Sequence, residues 1–168
     1  MKKEDKYLLI IGAGGHGKVV KEIAEALGYT NTAFLDDNSP EAIGKIADSK
    51  KYVNQYSEAF VGIGSNVLRG KLLERLEYEG FIIPVLIHPS AYISKSVTIE
   101  KGTIVEPKAI VNANSKVGSG CIISVGAIVD HDVVLEDCVH VNAGAICKAG
   151  SFVAKKTKLE AGQVVKGH

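Results

Sequence analysis

The sequence is poor in cysteine, in net charge and in long apolar runs. Its three cysteines, Cys121, Cys138 and Cys147, are an odd number without C-x-x-C spacing. No disulfide framework and no metal site is therefore predicted, and a reducing cytoplasm fits. The formal net charge of +1 gives no overall field that would recruit nucleic acid or an anionic membrane. The apolar run YLLII, after the N-terminal lysines, is about five residues long, too short for a signal peptide or a membrane insertion.

The first half of the chain, residues 1–87, alternates strand-like and helix-like segments. Strands are predicted for KYLLII (6–11), TAFLD (32–36), AFVGIG (59–64) and FIIPVLI (81–87). Helices are predicted for GKVVKEIAEAL (17–27) and NVLRGKLLERLEYEG (66–80), where a glycine is placed to end each helix. Alternating strands and helices are typical of a parallel sheet with helices on its faces. We therefore predict a small α/β Rossmann-like domain over residues 1–87.

The second half, residues 88–168, follows a period of six. When the chain is divided into hexads from Ala91 onward, the third position of each hexad is apolar. These residues are Ile93, Ile99, Val105, Val111, Val117, Ile123, Val129, Leu135, Val141, Cys147, Val153, Leu159 and Val165. The sixth position is often Gly or Asn, which tolerate positive φ. A period of six fits neither a helix nor a hairpin and is typical of a parallel β-helix, whose coils stack their apolar side chains into one continuous core.

A glycine-rich segment, GAGGHG (12–17), matches G-x-G-x-x-G between a predicted strand and a predicted helix. Asp36 ends the second strand about twenty residues later, where the acid of a dinucleotide site would bind the ribose. NAD binding is one interpretation, but residues 1–87 are only about half the length of a full dinucleotide-binding fold. The diphosphate of a nucleotide-sugar is a second ligand that would fit, and a turn needed only for tight packing is the third interpretation.

The segment IVDHDV (128–133) places His131 between two aspartates. His131 occupies the fifth hexad position, outside the predicted core, and Ala113 and Ala149 lie eighteen residues away on either side. An imidazole suits general base catalysis because its ordinary pKa is about 6.5, and an adjacent carboxylate fixes its tautomer. A solvated surface histidine is the alternative.

The hexad repeat resembles the left-handed β-helix of the hexapeptide acyltransferases. IIGAGGHGKVV, FLDD (34–37), GIGSNVLR (62–69) and LIHPSA (86–91) resemble, in order, landmarks of the bacterial sugar acetyltransferases in that family. This branch includes UDP-4-amino-sugar N-acetyltransferases and sialic acid O-acetyltransferases. The resemblance implies acetyl-CoA as co-substrate, a nucleotide-sugar along Gly14, Gly15 and His16, and its uridine or ribose near Asp36 and Asp37. Gly64 would pack against the ligand.

The same resemblance implies that His131 is the general base and that Asp132 supports it. His140 would contact acetyl-CoA near the thioester, and further cofactor contacts are expected at Ala149, Gly150 and Ala161. The family forms homotrimers with CoA between subunits, so a homotrimer is expected. His88 is expected to be structural and His168 receives no role. The C-terminus is short for this branch. In its other members the corresponding region helps to hold the adenosine of CoA.

The resemblance thus predicts an acetyl-CoA-dependent acetyltransferase that acts on the 4-amino group of a UDP-amino sugar. The alternatives are O-acetylation of sialic acid or a polysaccharide sugar, and a non-catalytic trimeric module that binds a nucleotide-sugar or NAD.

Overall fold

The computed structural model describes residues 5–168, which form two compact units, one ending at Pro84 and the other running from Val85 to His168. In the part of the chain that it describes, no helix is long and apolar enough to cross a membrane.

The first unit is a parallel sheet with two α-helices. Its elements are β1 (Tyr7–Ile11), α1 (Gly15–Ala26), β2 (Asn31–Leu35), β3 (Ala42–Gly44), a 3₁₀ helix (Ile46–Tyr52), β4 (Glu58–Val61) and α2 (Asn66–Glu79). The strand order is β3-β2-β1-β4. The strands and α2 supply a core of buried apolar side chains that includes Leu9, Ile11, Leu35, Val61, Leu73 and Leu76.

Both predicted helices are confirmed, and each ends where a glycine was expected to end it. Gly80 adopts a left-handed conformation (φ 98°) after α2, and Gly28 does the same (φ 88°) after α1. The first helix begins at Gly15 rather than at residue 17, because the glycine-rich segment itself forms its first turn. The short β3 was not predicted, since it is only three residues long.

The prediction of one continuous strand over residues 81–87 is wrong. Only Ile82 reaches the sheet of the first unit, through a single bridge to Glu58. Pro84 has no N–H to donate and interrupts any continuous ladder. Leu86 and Ile87 instead pair with Ile104 and Val105 in the second unit. The division of the chain after Pro84 thus lies three residues before the boundary expected at residue 87.

The second unit is a left-handed parallel β-helix, as the hexad repeat and its resemblance predicted. Strands occupy positions two and three of the hexads. They are β5 (Leu86–Ile87), β6 (Tyr92–Ile93), β7 (Thr98–Ile99), β8 (Ile104–Val105), β9 (Ile110–Val111), β10 (Lys116–Val117), β11 (Ile122–Ile123), β12 (Ile128–Val129), β13 (Val134–Leu135), β14 (His140–Val141), β15 (Ile146–Cys147), β16 (Phe152–Val153) and β17 (Val164–Val165). They form three sheets, ordered β14-β11-β8-β5, β17-β15-β12-β9-β6 and β16-β13-β10-β7. Partners in neighbouring strands lie eighteen residues apart, as Ile128 does from Ile110 and Ile146. Three hexads therefore complete one coil.

The third-position side chains form the core of this unit, together with small first-position residues such as Ala109, Ala127 and Ala145. Each fully buried Val or Ile contributes about 1.5–3 kcal/mol of hydrophobic free energy. The sixth position has positive φ throughout residues 102–162. Glycines adopt it, and so do Lys108, Asn114, Asp132, Cys138 and Lys156. The repeat therefore imposes the left-handed conformation even on residues with side chains.

Candidate functional site

The glycines of the G-x-G-x-x-G segment fall into two groups, and the first is required by packing. Gly12 has φ +100°, and a Cβ on it would lie 2.8 Å from Ile63 Cγ1. A Cβ on Gly17 would overlap the Gly12 carbonyl oxygen, and one on Gly62 would lie 2.7 Å from the Gly17 Cα. Gly12, Gly17 and Gly62 therefore let β1, α1 and β4 meet at backbone contact.

The second group faces open space. A Cβ on Gly14, Gly15 or Gly64 would meet no atom within 4 Å, and none of the three has positive φ. Neither packing nor conformation within the chain explains glycine at these positions. All three are exposed, and Gly14 and Gly15 begin α1, whose first turn carries no acidic side chain. A helix N-terminus with bare backbone favours an anionic group such as a diphosphate.

Asp36 and Asp37 lie after β2, and the structure gives both a role in holding loops. Asp36 Oδ2 accepts a hydrogen bond from Ala13 N at 2.9 Å, and its Oδ1 accepts from Asn38 N and Ser39 N at 2.8 and 2.9 Å. These bonds, with that from Ala13 foremost, lower the pKa of Asp36 below its ordinary value. Asp37 Oδ1 accepts from Ile46 N at 3.1 Å. Asp36 thus ties the glycine-rich segment to β2, and ligand binding by either acid stays a prediction.

Arg69 is a residue of this region that was missed in the sequence. It is 1% exposed and lies in the first turns of α2. Its guanidinium donates to the carbonyls of Ile63 and Gly64 at 3.1 and 3.2 Å and to Asn66 Oδ1 at 2.7 Å. Arg69 therefore fixes the loop that presents Gly64. Its place on the buried face of an amphipathic helix, one turn before Leu72 and Leu73, was the available signal.

His131 lies in the turn between β12 and β13, beside the carboxylate that was predicted to support it. Its Nδ1 is 2.7 Å from Asp132 Oδ2, and the two side chains are 48% and 51% exposed. Because an ionised carboxylate only accepts, Nδ1 carries the proton of the neutral imidazole, which leaves the lone pair on Nε2. The hydrogen bond with Asp132 raises the pKa of His131 above its ordinary value. The turn therefore presents a histidine of increased basicity to solvent.

Asp130, for which no role was predicted, also acts on His131. Its Oδ1 accepts from His131 N at 2.8 Å and from Asn112 Nδ2 at 3.2 Å. Its negative charge adds to the rise in the pKa of His131. The sequence carried no signal for the hydrogen bond between Asn112 and Asp130, because Asn112 lies one full coil before Asp130.

The predicted cofactor residues lie at two corners of the β-helix. Ala149 and Gly150 form the turn one coil after His131, and Gly150 N donates to the His131 carbonyl at 3.0 Å. His168 N donates to the Ala149 carbonyl at 3.2 Å, so the last residue lies against the same turn. Ala161 lies at another corner, in a turn whose Gly162 N donates to the Ala143 carbonyl.

His140 lies on β14, on the sheet that leads into the Ala161 corner. Its Nε2 is 3.0 Å from Ser124 Oγ, a contact that sequence reasoning did not anticipate. The sheet β17-β15-β12-β9-β6 separates the two corners, with the Ala161 corner at its start and the His131 corner at its end. His131 and His140 thus lie on opposite sides of this sheet, His131 in the turn that follows it and His140 on the sheet that precedes it.

Residues 7–76 match the PglD N-terminal domain family. Over 110 residues the chain is 34% identical to UDP-N-acetylbacillosamine N-acetyltransferase of Bacillus subtilis (strain 168). That match covers 60% of this chain and 51% of the relative, so the chain spans about half the length of this curated relative.

Two solved structures are similar over nearly the whole chain. The acetyltransferase domain of PglB from Neisseria gonorrhoeae FA1090, in complex with acetyl coenzyme A, is 36% identical with a TM-score of 0.91. The match covers 97% of this chain and 83% of that one. A histidine-to-asparagine mutant of perosamine N-acetyltransferase from Caulobacter crescentus, in complex with CoA and GDP-perosamine, is 32% identical with a TM-score of 0.88. The match covers 95% and 88% of the two chains.

Proposed function

Because the chain belongs to the hexapeptide-repeat superfamily of bacterial sugar acetyltransferases, we propose that it transfers the acetyl group of acetyl-CoA to the amino group of a nucleotide-linked amino sugar. The observation that carries this proposal is the hydrogen bond between His131 Nδ1 and Asp132 Oδ2 in an exposed turn. It gives the chain a base of the kind that acyl transfer to an amine requires.

His131 acts at the acceptor amine. Its Nε2 takes one proton from the nitrogen as that nitrogen attacks the thioester carbon. A C–N bond forms, the C–S bond breaks, and the proton on Nε2 passes to the departing thiolate, which leaves as CoA thiol. Asp132 and Asp130 stabilise the imidazolium between these two proton transfers. The chain forms no acyl-enzyme in this scheme.

The first unit binds the nucleotide-sugar. The open positions at Gly14, Gly15 and Gly64 support this assignment, since a Cβ there would meet no atom within 4 Å and none of the three glycines has positive φ. The Bacillus relative acts on a UDP-linked sugar by its name, and the Caulobacter structure contains GDP-perosamine. Nucleotide-linked amino sugars are therefore the acceptor class, and UDP is our first choice of nucleotide.

A homotrimer is proposed as the working assembly, and the outward residues of one sheet support it. Tyr92, Ile110, Ile128, Ile146 and Val164 form an uninterrupted apolar column along β6, β9, β12, β15 and β17. Tyr92 and Val164 are 59% and 50% exposed. An apolar column of this kind on a surface marks an interaction site. Packing copies side by side on this sheet would bring the His131 corner of one copy toward the Ala161 corner of the next. Acetyl-CoA would then bind between subunits.

A cytoplasmic location is part of the proposal, supported by the buried thiols of Cys121, Cys138 and Cys147 and by the need for acetyl-CoA.

The test is release of CoA thiol from acetyl-CoA by the purified protein across a panel of acceptors. The panel contains a UDP-4-amino sugar, a GDP-4-amino sugar, a free sialic acid and UDP-N-acetylglucosamine, which has no free amine. We expect release with the amino sugars alone. Release only with sialic acid would replace the proposal by O-acetylation. No release, together with no calorimetric binding of acetyl-CoA at millimolar concentration, would favour a binding module.

A further inference from the structure

A column of hydrogen bonds runs along the corner of the β-helix that carries His131. Asn114 N donates to Ser96 Oγ at 2.9 Å, and Asn114 Nδ2 donates to Asp132 Oδ1 at 3.2 Å. Asp132 Oδ2 in turn holds His131 Nδ1 at 2.7 Å. Ser96, Asn114 and Asp132 occupy the sixth position of hexads that lie one coil apart.

Each carboxylate oxygen of Asp132 therefore has its own partner, Asn114 on one side and His131 on the other. Asp132 is half-exposed, so few packing contacts restrain its side chain. Two fixed partners stop the carboxylate from rotating away from the imidazole, and Asn114 is itself held through its backbone by Ser96. A parallel pair, Asn112 to Asp130, braces the other carboxylate next to His131.

We propose that Asn114 is a positioning residue of the acetyl transfer site, which orients the Asp132 carboxylate so that it can hold His131 as the base. This inference rests on the proposed function for its catalytic meaning. The Asn114 side chain donates to Asp132, so its effect on His131 passes through that carboxylate.

Three titratable groups act on this part of the column. Asp132 and Asp130 lie beside His131 and raise its pKa, and His168 acts electrostatically on Asp132. The hydrogen bond from His131 lowers the pKa of Asp132 most, and that from Asn114 follows. Removal of the Asn114 amide therefore loosens the carboxylate and weakens the contact that sustains the basicity of His131.

The test is the pKa of His131, followed by NMR of its imidazole in the full chain without substrates. Asn114→Gly removes the amide and keeps the backbone, because glycine accepts the φ of 60° found at Asn114. Lys108→Gly is the matched control. Lys108 has φ 62°, lies at the same hexad position and donates its N–H to Ser90 Oγ one coil before, but it is remote from His131. Asn114→Ser, too short to reach Asp132, repeats the test if glycine loosens the turn.

We expect Asn114→Gly and Asn114→Ser to lower the pKa of His131 toward its ordinary value, and Lys108→Gly to leave it unchanged. In an Asp132→Asn background, Asn114→Gly should have no further effect on this pKa. With acetyl-CoA and an amino sugar acceptor, kcat should fall roughly threefold to tenfold at unchanged KM, less than the about 100-fold to 10,000-fold that the general base itself contributes. An unchanged pKa in the Asn114 variants, or an equal change in Lys108→Gly, overturns the inference. Because the titration uses no substrate, a shifted pKa in a protein without acetyl transfer would refute the proposed function and not the positioning role.

Discussion

Two glycines in one loop, Gly62 and Gly64, should respond in opposite ways to the same substitution. Gly62 follows β4 and is in backbone contact with Gly17, where a Cβ would lie 2.7 Å from the Gly17 Cα and 3.1 Å from Ile10 Cγ2. Gly64 is exposed, and a Cβ there would meet nothing within 4 Å. Replacement by alanine adds the same methyl group at both positions and so separates packing from ligand binding.

Gly62→Ala should destabilise the protein. Forcing one extra carbon into a packed contact costs about 1–3 kcal/mol. For a unit of this size each kcal/mol lowers the melting temperature by about 4–8 °C, which gives a fall of about 4–24 °C. Gly64→Ala should leave the melting temperature unchanged or slightly higher, because a compatible Gly→Ala change stabilises by about 0.4–1 kcal/mol.

Binding of the nucleotide-sugar should show the reverse pattern. If the backbone N–H of Gly64 donates to an anionic group of the ligand, loss of that hydrogen bond weakens the binding free energy by about 1.5–3 kcal/mol. The Kd would then rise about tenfold to hundredfold. Calorimetry with UDP and the UDP-amino sugar measures this, and acetyl-CoA binding provides the control, which should not change. Wild-type affinity of the Gly64→Ala protein for both uridine ligands would show that the site is elsewhere.

Three further predictions concern the second unit. Neutral His131 is the reactive form, so kcat/KM should rise with pH through its raised pKa; Asp132→Asn should move this rise to lower pH and reduce the plateau, and an unmoved profile would count against the pairing. Ile128→Glu should convert the trimer to monomers in light scattering, whereas Val134→Glu, on another sheet, should not; a wild-type mass for Ile128→Glu would exclude this interface. The three cysteines are buried, and burial raises the pKa of Cys147 to about 11. A chromogenic disulfide reagent should therefore label none of them in the native protein and all of them after denaturation; rapid native labelling would contradict the packing.

The architecture of the second unit was predictable because its hexad repeat determines both the core residues and the turns. Apolar third positions such as Val129 and Val141 fall in the core, and sixth positions such as Asn114 and Asp132 turn the chain with positive φ. A regular period of six leaves one consistent arrangement of strands and turns. The first unit has no such constraint, and its strand over 81–87 was misjudged because an apolar run alone does not show which sheet it joins.

The site was predictable only in part. His131 and Asp132 are neighbours in sequence, so their contact needed no knowledge of the fold. Asn112 and Asn114 act on residues eighteen positions later, and such contacts become visible only when three hexads are stacked into one coil. Arg69 was overlooked for a different reason, since a buried guanidinium looks like a surface charge until its carbonyl partners are known.

The most direct test of the account is the turnover of His131→Ala with acetyl-CoA and the best amino sugar acceptor. General base catalysis contributes about 100-fold to 10,000-fold to rate, so kcat should fall by about 100-fold or more. Because His131 is exposed and outside the core, melting temperature and acetyl-CoA affinity should remain those of the wild type. A folded His131→Ala protein that acetylates the acceptor at close to the wild-type rate would contradict the account.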